Sequence, residues 1–243
     1  MNLAEFSSLS QDLRRIAKDI PLKWGHIQNN VYDNQLRQVC NIFEIMSLDE
    51  FEGYIAGFDD DHKNYYRRRW YLVRCADCDE YLFYCNPRVE HNPVRKDKEW
   101  DIQINQLYKF DVKGTVIPKD FRDNWESVVN DPNEIVRFYY DRQSKGVRYD
   151  MQNRLFIVHH SLVDHNREFL LRCAWGTKAS VYKRFVDRIS DVHFMTYKGC
   201  TAEVIFLLET ERNTLRYKIA GLDNDLQTIP QKNIDYVQHA ATK

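Results

Sequence analysis

Glycine and proline are scarce, 8 and 6 in 243 residues. That excludes collagen-like and low-complexity chains and points to a rigid core with short connections. No apolar run approaches the ~20 residues of a membrane span, and the N-terminal MNLAEFSSLSQDLRRIAKDI lacks the compact apolar centre of a secretory signal. The expectation is a cytoplasmic protein whose 6 cysteines stay reduced. Neither sign of charge is in excess: 35 basic against 36 acidic residues leave a net −1 at pH 7. No global positive field announces nucleic acid, so an enzyme acting on it would need a local basic surface. There is also no internal repeat and no Gly/Ser linker. What remains, 43% hydrophobic and 29% charged residues, is the make-up of an ordinary globular protein of one large domain or a core with an appendage.

The order of elements can be read from periodicity. Leu9, Leu13 and Ile16 recur at helical spacing up to Pro21, and Leu36, Val39, Cys40, Phe43 and Met46 set a second amphipathic stripe. Residues 1–30 are read as a helical N-terminal extension and 31–243 as the core. Trp70-Tyr71-Leu72-Val73 and Tyr81-Leu82-Phe83-Tyr84 flank a polar Ala-Asp-Cys-Asp-Glu centre and read as a β-hairpin. Two short strands follow, 100–104 and 110–117, the second ended by Pro118. Asp131-Pro132-Asn133-Glu134 offers a capping acid, a proline at the first helical position and an acid three residues after the cap. The helix it opens should stop near Gly146. Leu155-Phe156-Ile157-Val158 is apolar throughout, as a strand covered on both faces would be. A long helix over 168–189 and a hairpin of 203–208 against 214–219 complete an α/β fold, a mixed central sheet flanked by helices.

Asp111-Val112-Lys113 is the most informative triplet. Side chains alternate along a strand, so Asp111, Lys113 and Thr115 share one face while Phe110 and Val112 face a core. Asp101 lies ten positions earlier, and a tight turn through Asn105-Gln106-Leu107 would bring it beside Asp111. Two converging carboxylates with open water positions suit Mg²⁺ or Mn²⁺. The pattern Trp100-Asp101, a spacer, then Asp111-Val112-Lys113 resembles the PD-(D/E)XK nuclease superfamily, with Trp100 where that motif usually has proline. The resemblance spans roughly residues 30 to 190 and is one of topology and spacing. It implies a restriction-endonuclease-like core of helix, three-stranded meander, crossover helix and further strand. It also implies Asp101 and Asp111 as metal ligands and Lys113 as the residue that positions water and stabilises charge on phosphate. Glu44, on the helix taken to precede the meander and on nearly one face with Asn41, is the third metal-site candidate, with Glu52 as its fallback.

A local basic cluster follows the crossover helix. Arg142, Lys145, Arg148 and Arg154, with Gln143, are candidates for phosphate contact. The arginines within 65–70 invite either a nucleic-acid backbone or solvent. Cys75 and Cys78 with Cys85 and His91 could hold structural zinc, though no second C-x-x-C exists, and buried or turn cysteines are the simpler reading. His159, His160 and His165 mark a strand exit, where a metal or base role competes with ordinary polar histidines.

The resulting expectation is a metal-dependent endonuclease hydrolysing phosphodiester bonds, of DNA by preference and in host defence. Cutting both strands of a duplex would call for a symmetric homodimer. Two rivals stand beside it: a nuclease fold that binds nucleic acid or a partner protein without cutting, and a zinc-stabilised module built on the cysteines.

Overall fold

The computed structural model describes residues 1–20, 30–94, 99–142 and 153–229. The first helix, α1 (Leu3–Ile16), starts where Asn2 accepts the backbone N–H of Glu5 while the Glu5 carboxylate returns to the Asn2 N–H. This reciprocal cap satisfies two of the orphan donors at a helix start. Two short helices follow, α2 (Val31–Val39) and α3 (Leu48–Ile55), each capped by a side chain, from Asn30 and Ser47. The expected second stripe is thus cut short: the helix ends at Val39, Cys40 is extended, and residues 42–44 form a turn.

The largest departure from expectation is α4 (Asp60–Tyr84), one 25-residue helix where the sequence suggested a hairpin. Asp59 caps it by accepting the N–H of His62. Its residues are buried around most of the circumference: Tyr66, Trp70, Cys75 and Cys78 pack with α1 to α3, while Phe83 packs beneath the sheet. β-Prone aromatics are held helical here by tertiary packing, which routinely overrides weak local preference.

The sheet begins after α4 with a meander of β1 (Val89–His91), β2 (Ile102–Ile104) and β3 (Tyr108–Val116), antiparallel throughout. Next come α5 (Trp125–Asn130) and α6 (Asn133–Arg142), then β4 (Asn153–Ser161), which returns parallel to β3. The C-terminal part adds α7 (Arg167–Arg172), α8 (Trp175–Asp187), β5 (Met195–Tyr197), β6 (Cys200–Glu211), β7 (Thr214–Ile219) and β8 (Gln227–Thr228). Where one long helix was expected, α7 and α8 are separated at Cys173 and Ala174. The expected stop near Gly146 lies outside the described residues. The hairpin of β6 and β7 forms as expected.

The result is a mixed α/β fold with an open eight-stranded sheet, ordered β1-β2-β3-β4-β6-β7-β8, with β5 also paired to β6. Even-numbered Phe110 and Val112 of β3 join Leu155, Ile157, Ile205 and Leu207 under α8. Phe156, Val158, Val204 and Phe206 face the other way, under α6. Covering both faces explains why β4 and β6 read as nearly continuous apolar runs. No helix among the described residues is long and apolar enough to cross a membrane.

Candidate functional site

The site forms where β2 and β3 part company. Asn105 and Gln106 both take positive φ, 52° and 58°, in the three-residue connection 105–107, where the Leu107 N–H donates to the Ile104 carbonyl. This matches the mirror-image turn that suits the twist of a hairpin. The register pairs Ile102 with Phe110 and leaves Asp101 just ahead of β2, its N–H donating to the Phe110 carbonyl. Asp101 Oδ2 then accepts the N–H of Val112 at 2.8 Å. A carboxylate thus caps the ladder as β3 turns from one neighbour to the other.

Asp111, Lys113 and Thr115 share the face opposite Phe110 and Val112, as alternation requires. The Lys113 ammonium lies 2.7 Å from Asp111 Oδ1 and 3.8 Å from Asp101 Oδ2. Asp111 is 3% exposed, and its second oxygen, Oδ2, stands 3.2 Å from the Nε of Arg154. The parallel register brings Arg154 directly across from Asp111. Arg154 is wholly buried, with its guanidinium over the ring of Tyr140. It orients Asp111 from beneath and is not the surface cation that its place in the sequence suggested.

Burial raises the Asp101 carboxyl to about 7. Glu80 and Asp111 push the same way, opposed by Lys113 and the Val112 N–H. Glu80 sits near the end of α4, where its carboxylate pairs with His91 of β1 at 3.0 Å. Asp101, Glu80, Asp77, Glu5, His91 and Trp100 line one cleft of about 530 Å³. Its acids outnumber its bases, which suits cations more than bare phosphate.

No family model, curated protein or solved structure matches this chain.

Of the expected residues, Asp101, Asp111 and Lys113 converge. Glu44 does not join them: it is exposed in the turn at 42–44, and it does not line the cleft. The helix entering the meander is α4, so the acid facing Asp101 from that helix is Glu80. Glu52, the fallback, is paired with Arg67 at 2.6 Å. Arg142 ends α6 at the surface, paired with Asp120. Gln143, Lys145 and Arg148 lie outside the described residues. Cys75 and Cys78 are buried on α4, Cys85 is exposed, and His91 is engaged by Glu80, so these four form no shared metal cluster. Glu80 was hidden inside the Ala-Asp-Cys-Asp-Glu segment taken for a turn. The signal that could have revealed it is the absence of any glycine or proline from residue 58 to 86, which disfavours a tight turn there.

The donor set fits a hard divalent cation. Two carboxylates, one raised by burial and like charge, meet beside a partly exposed ammonium, with the buried Arg154 guanidinium behind Asp111 and the Val112 N–H on Asp101. A cation would relieve both desolvation and repulsion there.

Proposed function

We propose that this protein is a metal-dependent phosphodiesterase acting on nucleic acid, with Asp101, Asp111 and Lys113 as its reacting centre. The observation that carries the proposal is the placement of Lys113 between Asp101 and Asp111, beside a cleft rich in carboxylates. The order helix, antiparallel meander, helix, parallel strand, with these residues on β3 and just before β2, is that of the PD-(D/E)XK nucleases. A restriction-endonuclease-like core is therefore the finer reading of the fold.

Asp101 and Asp111 would hold Mg²⁺ or Mn²⁺, with Glu80 as the third carboxylate in place of Glu44. A cation bound there would polarise the phosphate and lower the pKa of an attacking water. Lys113 stabilises negative charge growing on the phosphate and orients the water by hydrogen bonding. Arg154 fixes Asp111 by pairing with its second oxygen, so that the carboxylate is aimed before substrate arrives. The Val112 N–H does the same for Asp101. DNA is the favoured substrate, and a symmetric dimer the arrangement for cutting both strands.

One observation favours a second reading, a fold that binds without cutting. Lys113 already neutralises Asp111 at 2.7 Å, a stable arrangement without a cation. Incubation with plasmid and single-stranded DNA separates the two. Cleavage with Mg²⁺ or Mn²⁺, abolished by chelator, is the outcome expected here. Tight binding with no cleavage under any divalent cation would establish the second reading.

A further inference from the structure

The connection from β4 to α7 carries side chains that the phosphodiesterase reading does not use. His160 is the penultimate residue of β4, His165 lies in the loop, and Glu168 is in the first turn of α7. Nδ1 of His160 stands 2.9 Å from Oε1 of Glu168, and Nδ1 of His165 stands 3.4 Å from the same oxygen. Among the described residues, these three alone form a group of His, Cys, Asp or Glu whose ligand atoms all lie within 4.8 Å of one another. We propose that His160, His165 and Glu168 form a zinc-binding site.

Geometry supports the ion. Ligand atoms at about 2.0–2.1 Å from a tetrahedral zinc lie about 3.3–3.4 Å apart; His165 stands at that spacing from Glu168, and His160, now at hydrogen-bond distance, would open by about 0.4 Å. The chemistry is equally selective. Two imidazoles and one carboxylate suit zinc, whereas Mg²⁺ prefers an all-oxygen set.

The surroundings hold the ligands in place. His160 and Glu168 are 1% and 2% exposed, so strand and helix fix them. Arg122 reaches Oε2 of Glu168 at 3.2 Å while its Nε donates to the carbonyl of Ile117. That pairing turns the carboxylate so that Oε1 faces the two histidines, the outer support that metal ligands generally receive. Without a cation, one carboxylate oxygen faces both imidazoles. The His165 side chain is 45% exposed, so the fourth position opens to water. Zinc here ties the end of β4 to the start of α7.

The site is separate from the carboxylate centre. Arg154, which meets Asp111, is six residues before His160 on the same strand, roughly 20 Å away at the rise of a β-strand. It also differs from the cysteine set suggested by the sequence.

Cobalt titration of the full chain tests the proposal, because four-coordinate Co²⁺ gives a visible absorption band. One equivalent should develop the band, and Zn²⁺ but not excess Mg²⁺ should displace it. Affinity should fall in acid, since zinc competes with protons for the two imidazoles. His165→Ala removes an exposed side chain, so circular dichroism should be unchanged while Zn²⁺ affinity falls at least about tenfold. Asp101→Asn should keep the band. Absence of the band in the wild-type chain, an equal band in His165→Ala, or its loss in Asp101→Asn would each overturn the site.

Discussion

Burial, Glu80 and Asp111 all oppose a charge on Asp101, which keeps its proton up to about pH 7. In the unfolded chain an aspartate loses it near 3.9. The folded state therefore binds the extra proton between these values. The stability it contributes is complete below about pH 4, declines as pH rises, and is gone above about 7. Asp101→Asn should raise the stability of the metal-free protein at pH 8 by on the order of 1–3 kcal/mol, measured by urea unfolding in chelator. Mn²⁺ should then raise the Tm of the wild-type chain more than that of the variant. No gain in chelator would mean that Asp101 is well solvated. At this scale the sequence was informative about Asp101, Asp111 and Lys113, because strand alternation and a tight turn are local rules. It could not give the role of Arg154. An arginine reads as a surface cation until a partner far along the chain buries it, and that partner comes from the parallel pairing of β3 with β4.

The β2–β3 hairpin is the element that sets the site. Gln106 sits at φ 58°, a conformation that costs a side-chain-bearing residue roughly 1 kcal/mol and glycine little. Gln106→Gly should therefore stabilise the protein by about 0.5–1 kcal/mol and leave the Asp101–Asp111 register intact. Chemical denaturation checks the first point, and unchanged Mn²⁺ affinity the second. Destabilisation would show that Gln106 makes contacts that outweigh its backbone cost. The strands were legible because their apolar pattern is simple. The helix α4 was not, for a definable reason. It buries Arg68, Arg74 and Asp79 together with its aromatics, so polarity no longer marks the outside and the helical period is lost. Reading α4 as a hairpin put Glu44 forward where Glu80 is the acid that lines the cleft with Asp101.

Across the whole molecule, α4 and α8 are locked by charges withdrawn from water. Asp79 Oδ1 accepts from Lys178 Nζ and from the Tyr182 hydroxyl, each at 2.8 Å, and both Asp79 and Lys178 are buried. Removing one member of such a pair leaves the other charged and uncompensated. Lys178→Met should cost roughly 3–5 kcal/mol, and adding Asp79→Asn should recover much of it. Thermal unfolding of both single variants and the double measures this; a loss in the double equal to the sum of the two single losses would show that the pair is not coupled. No local pattern announces this link, since its partners are 99 residues apart. The same packing holds α4, and with it Glu80, against the meander that carries Asp101, so the site depends on the assembled fold. In the proposed phosphodiesterase, cutting depends on Lys113, held between two carboxylates. The most direct test is DNA cleavage by Lys113→Ala in Mg²⁺ or Mn²⁺, with binding measured on the same substrate and folding checked by circular dichroism. Loss of cleavage by about 10²–10³-fold or more, with binding and fold retained, is the predicted result. Lys113→Arg should fail as well, because a guanidinium cannot take the place of a compact ammonium. Full cleavage by Lys113→Ala would show that the ammonium takes no part in the chemistry.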